Sequence, residues 1–215
     1  MEKFSKGKAI AFGWEAMKKN FWFFCGVLII AAVIQIVPNS LSNFYEKKMP
    51  LLSSAFDLLS FIVSTIVAIG LIRISLKLYE NKEKPKLGEL FSVRGAFWRY
   101  LLSSVLYGLA VVGGLILLIV PGIILWIRCQ FFGYLIVDKG LGPIKALKKS
   151  FAMTRGNGWN LFLLGILLAG IFLLGVLALV VGLFAAIPTT IMASVFVYRF
   201  LIERDILQTN REAVP

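Results

Sequence analysis

Asp57 and Arg128 are the two charged residues set deep inside otherwise apolar stretches, and they are where this sequence could do chemistry. A charge in a hydrocarbon core costs at least about 2.5–3.5 kcal/mol on insertion scales, so it is retained where it has a partner or a pathway to serve. Arg128 lies seven residues past Pro121, roughly 10 Å along a helix. Asp57 lies a short way into a stretch entered from the same side, so the two could meet at similar depth. Either they form an ion pair that clamps the second apolar stretch to the fourth, or Arg128 lines a polar cavity and binds an anionic group such as a lipid phosphate.

Catalysis has little to work with. The chain has no histidine, and Asp57 is the only carboxylate deep in an apolar stretch. A nucleophile with its base, a carboxylate pair or a metal set therefore cannot be assembled there. Cys25 and Cys129 both sit in apolar runs and read as small buried hydrophobes rather than a disulfide or zinc ligands. No Gly-rich phosphate loop follows a strand. The expectation is a non-enzymatic protein with no cofactor and no metal.

The elements that must position these residues follow from composition. With 59% hydrophobic and 16% charged residues among 215, the chain is too apolar for a soluble domain, whose charged fraction is roughly 25%. The excess of Lys and Arg does not point to nucleic acid, because those residues are spaced between long apolar runs instead of gathered on one domain.

Six spans are expected, making an all-α membrane bundle. Phe21 to Val37 is the first, ended by Pro38, with Asn39 to Pro50 a polar loop. Leu51 to Leu78 is the second. Tyr100 to Pro121 and Gly122 to Val137 form a hairpin turning at Pro121-Gly122. The stretch between Arg155 and Arg199 carries no charge and holds two more spans, turning near Ala185 to Thr189.

Twenty Lys and Arg fall in the segments 1–20, 73–99, 138–160 and 199–215, against Lys47 and Lys48 on the other side. The positive-inside rule then puts both termini in the cytoplasm of a bacterial or archaeal cell, with the protein in its cytoplasmic (inner) membrane. No cleavage pattern follows the first apolar run, so that span is expected to be retained.

Tryptophan exposes an internal repeat. Met17-Lys18-Lys19-Asn20-Phe21-Trp22, Val93-Arg94-Gly95-Ala96-Phe97-Trp98 and Thr154-Arg155-Gly156-Asn157-Gly158-Trp159 each place a basic residue four positions before a Trp that opens an apolar run. Basic side chains suit an anionic surface and Trp suits the headgroup boundary, which is also what any span entry on that side requires.

As a repeat, the unit is an interfacial amphipathic helix plus a two-span hairpin. It recurs over 1–80, 81–138 and 139–207 of a single membrane domain (1–215), with a polar tail at 208–215. Phe4, Ile10, Trp14, Met17 and Phe21 share one face of the first such helix, which is expected to lie on the membrane surface.

Pro121-Gly122, Arg128, Asp138, Gly142-Pro143, Ala146, Ser150, Thr154-Arg155-Gly156 and Trp159 resemble the pattern of the YciC-like proteins. They are similar too to the membrane domain attached to some bacterial glycerophosphodiester phosphodiesterases. The resemblance implies a multi-pass membrane fold and transfers no single activity. This chain has neither the length nor the His, Glu and Asp residues of a soluble phosphodiesterase domain.

The functional expectation is a protein that engages anionic lipid, or a protein partner or second copy of itself, through a basic cytoplasmic face. Lys18, Arg94, Lys145, Lys148, Lys149 and Arg155 would be the anionic-lipid contacts, and Trp22, Trp98 and Trp159 the interfacial anchors. The alternative is a small solute or lipid transporter or channel with Arg128 in its pathway. The few polar groups in the spans (Gln35, Asp57, Ser64, Thr65, Arg128 and Gln130) argue against a wide aqueous route, and an envelope enzyme ranks third. Gly165 and Ala169 make a small-xxx-small pair suited to close helix packing.

Overall fold

The computed structural model describes residues 4–80, 86–93, 95–178 and 181–212. Among them there are helices and turns and no strand. The order is α1 (Lys6–Lys19), α2 (Phe21–Tyr45), α3 (Pro50–Glu80), a 3-10 turn (Leu87–Phe91), α4 (Phe97–Leu117), α5 (Ile119–Cys129), α6 (Phe132–Lys139), α7 (Pro143–Met153), α8 (Gly158–Leu177) and α9 (Leu183–Glu212). Six helices are long and apolar enough to cross a membrane: α2, α3, α4, α5 with α6 as one unit, α8, and α9 as far as Gln208. This fits a multi-pass membrane protein.

Several boundaries differ from expectation. Pro38 does not end the first span, because α2 runs through it to Tyr45. One missing N–H is tolerable where neighbouring groups can adjust, and no water competes for the flanking bonds. Likewise Pro188 lies inside α9, so the last turn falls before Leu183 and not at Ala185 to Thr189. The middle hairpin turns at Leu118, whose backbone is extended (φ −162°, ψ 141°). Pro121 then occupies the first turn of α5, where its missing N–H has no intrahelical partner to lose. Gly114 and Gly122 bring α4 and α5 into close backbone contact beside this turn. At the other end of the chain, the expected polar tail is still helical through Glu212.

Each short helix packs on the second span of another hairpin. The 3-10 turn rests on α3, where the buried Leu90 lies so close to Gly70 that a Cβ there would collide with its backbone. α7 packs on α5 and α6. α1 runs antiparallel along α9, with Phe4 meeting Phe200 and Phe12 meeting Phe196. Gly13 touches the backbone of Thr189 and Ala193.

This close approach alters the expected picture of α1. Phe4 and Met17, assigned by periodicity to the bilayer, are buried in protein, while Trp14 is exposed. A glycine at the crossing lets two helix backbones approach closely, and the residues flanking it are drawn in.

Candidate functional site

The fourth span is not one helix. α5 stops at Cys129 and α6 starts at Phe132, so the chain breaks at Gln130-Phe131 and frees backbone groups that apolar surroundings cannot satisfy. α7 supplies the missing partners. Ser150 Oγ donates to the Arg128 carbonyl (2.9 Å) and accepts from the Phe131 N–H (3.2 Å), and Thr154 Oγ1 shares its one proton between that carbonyl (3.2 Å) and those of Ser150 (2.9 Å) and Phe151 (3.1 Å) in its own helix.

Local sequence places α7 for this task. Gly140 closes α6 in the left-handed region (φ 63°), and Arg99 Nη1 donates to its carbonyl (2.6 Å). Gly142 then caps α7, and Pro143 pre-sets its first turn. Ala146 is fully buried, which brings the helix close to its neighbours. Gly156 (φ 80°) turns the chain into α8, and Arg204 Nη2 holds that turn through the carbonyls of Met153 (2.7 Å) and Arg155 (3.2 Å).

Arg128 sits at the break. Its Nη2 donates to the Phe151 carbonyl (2.7 Å), and its guanidinium carbon lies 3.5 Å from the Phe151 ring centroid. Its buried Nε has no protein acceptor among the described residues. Arg155 is near enough for the two charges to repel.

The structure does not bring Arg128 and Asp57 together. Asp57 is exposed and accepts from Ser42 Oγ (2.5 Å), which ties α3 to α2 inside the first hairpin. Sequence distance along two helices said nothing of which helices are neighbours, and α3 reaches the fourth span mainly through α6.

The clamp between spans is elsewhere. Arg199 of α9 pairs with Glu80 at the end of α3 and with Asp138 of α6 (3.2 Å), and Tyr198 OH donates to Asp138 (2.8 Å). The Arg199 side chain is 11% exposed and that of Asp138 is 13%. In the sequence Arg199 counts only toward topology and Asp138 stands out only through the resemblance, because each lies close to the end of an apolar run. No periodicity marks three such ends as converging.

Beside Arg128 a cavity of about 370 Å³ opens between α5 and α8, lined by Val120, Ile123, Ile124, Ile127, Arg128, Gly158, Trp159 and Phe162. A second, of about 280 Å³, shares Ile127 and Phe162 and extends along α8 past Gly165 and Ala169. This pair of small residues therefore does not mediate the close helix contact expected of it: a Cβ on Gly165 would meet nothing.

Among the expected lipid contacts, Lys18, Lys145, Lys148 and Arg155 are exposed, whereas Lys149 pairs with Asp205. Arg94 lies outside the described residues. Trp22, Trp98 and Trp159 are 85%, 76% and 70% exposed, each at the start of a span. Cys25 and Cys129 are free thiols, the first half-buried and the second buried.

Residues 90–203 match a protein family described as Domain of unknown function (DUF7847). The chain belongs to this family. The matched stretch runs from the 3-10 turn into α9 and contains the break, α7, Arg128, both α5–α8 cavities, Asp138 and Arg199. It leaves out α1 to α3, and with them Asp57 and Glu80. No curated protein and no solved structure matches the chain. Nothing in these comparisons links it to the YciC-like proteins or to the phosphodiesterase-attached membrane domain.

Proposed function

We propose that this protein is a non-enzymatic component of the cytoplasmic membrane that engages anionic lipid through the basic end of its bundle. One observation carries this reading. Lys145, Lys148 and Arg155 project from α7 and the turn after it with no carboxylate partner among the described residues, next to the exposed Trp159. The carboxylates Glu89, Asp138 and Asp205 are meanwhile taken by Lys77, Arg199 and Lys149. Each free cation near an anionic surface is worth about 1 kcal/mol of attraction. A protein partner with an acidic face would use the same surface.

The threefold repeat is part of the proposal, and three features support it. Each short helix packs on the second span of another hairpin, as a cyclic arrangement requires. The aligned Gly95 and Gly156 are both left-handed (φ 66° and 80°). The three aligned Trp are all exposed. The clustering of Arg128, Ser150, Thr154 and Trp159 about one break supports kinship of fold with the YciC-like proteins. Both termini would be cytoplasmic on the charge count above. Transport is the second reading, and the opening of the Arg128 cavity to the side of the bundle favours a lipid over a water-soluble solute.

The test is native mass spectrometry of the detergent-purified protein with equal phosphatidylglycerol and phosphatidylcholine. Retention of several phosphatidylglycerols, reduced in the Lys145→Gln, Lys148→Gln, Arg155→Gln variant, supports the reading. Equal retention of both lipids by the unmodified protein ends it.

A further inference from the structure

The geometry points to a site for one anionic phospholipid between α5 and α8, its phosphate on Arg128 and one acyl chain in the cavity lined by Ile123, Ile124, Trp159 and Phe162. This inference rests on the lipid reading above and names the place where a single lipid is held, as distinct from the loose attraction of a basic surface.

Three observations converge. The first is the guanidinium itself. Arg128 carries five N–H donors, of which one group is used on the Phe151 carbonyl, and its guanidinium carbon is held over the Phe151 ring, 3.5 Å from the centroid. Nε is buried without a protein acceptor, while Nη1 is neither buried nor bonded among the described residues. Nη1, with the second N–H of Nη2, is the edge of the guanidinium left for phosphate oxygens.

Shape is the second. A cavity of about 370 Å³ is within the usual range of roughly 300–1,000 Å³ for small-molecule sites. Apart from Arg128 its walls are apolar, which suits a hydrocarbon chain and not a free hydrated anion.

The third is charge. No carboxylate lines the cavity, so the ammonium of a zwitterionic headgroup would find no partner there, while Arg155 adds a second positive charge nearby. α8 begins at the same place with Gly158 and Trp159, and its positive dipole end contributes in the same sense.

Gly158 makes the idea testable without touching Arg128. A Cβ on Gly158 meets nothing within 4 Å, so Gly158→Phe can place a ring in the cavity. Gly165 has the same freedom but borders the second cavity only, so Gly165→Phe is the matched control. The full chain is incubated in neutral detergent with phosphatidylglycerol and phosphatidylcholine of identical acyl chains. Retained lipid is then read by native mass spectrometry at a collision energy that strips loosely held molecules.

The expected result is one phosphatidylglycerol per chain. Gly158→Phe should reduce it at least about tenfold, as should Arg128→Gln, which loses a hydrogen bond to a charged group. Gly165→Phe should keep it, and inorganic phosphate should not displace it.

Retention unchanged in Gly158→Phe would overturn the site, as would displacement by inorganic phosphate alone, which would make it a free-anion site. If the unmodified chain still prefers phosphatidylglycerol but Gly158→Phe changes nothing, this site fails while the lipid reading stands. If the unmodified chain shows no preference, both fail.

Discussion

The guanidinium of Arg128 lies over the ring of Phe151, 3.5 Å from its centroid, and donates to the carbonyl of that same residue. One side chain of the broken fourth span thus holds α7 by both a ring and a backbone group. Removing the ring alone should separate the two effects. Phe151→Leu is expected to lower stability by about 1 kcal/mol, the worth of a partly exposed cation–π contact. Arg128→Ala should cost more, because it also removes the hydrogen bond. Thermal unfolding in detergent, followed by loss of helix signal, reads both.

Ser150 serves the break from both sides, donating to Arg128 and accepting from Phe131. Ser150→Ala leaves a buried N–H without a partner and should destabilise by about 1–3 kcal/mol. Thr154→Val should cost less, since the Arg128 carbonyl keeps its bond from Ser150. An equal effect of the two substitutions would mean that the Phe131 N–H finds another acceptor.

Charge reversal distinguishes the observed clamp from the one expected at Asp57. Arg128→Asp combined with Asp57→Arg should restore nothing, because the two side chains have different partners. Arg199→Gln, by contrast, removes the cation shared by Glu80 and Asp138, leaving Asp138 its contacts with Tyr198 and Lys139, and should cost about 1–3 kcal/mol, as losing hydrogen bonds to charged groups does. Glu80→Gln should be milder, since Asp138 still holds Arg199. Yield of folded protein by size-exclusion chromatography orders these three variants beside Arg128→Asp alone, and rescue by the Asp57 swap would refute the assignment.

Backbone approach at Gly13 and Gly70 leaves no room for a methyl group. Gly13→Ala should loosen α1 from α9, and Gly70→Ala should push the 3-10 turn off α3, each at about 1–3 kcal/mol of overpacking. Gly7→Ala, where a Cβ meets nothing, should be neutral or slightly stabilising. Hydrogen exchange confined to α1 in Gly13→Ala, and to the 3-10 turn in Gly70→Ala, would localise each effect.

The sequence by itself determined that six segments are apolar enough to span a membrane and that its charges gather between them. Both properties are sums over neighbouring residues, because transfer from water to hydrocarbon is nearly additive along a short window. The resemblance also singled out Ser150, Thr154, Gly156 and Trp159, but without a physical role for any of them. Their role is to serve a break between Cys129 and Phe132 that no local signal announces, since the apolar run continues through it.

Tertiary structure alone decided the partners. Arg128 meets a carbonyl 23 residues away, and Arg199 meets a carboxylate 119 residues away. Such pairs depend on which helices become neighbours and at what height. The closest approaches, α1 to α9 at Gly13 and the 3-10 turn to α3 at Gly70, can be read only when both stretches of backbone are in place.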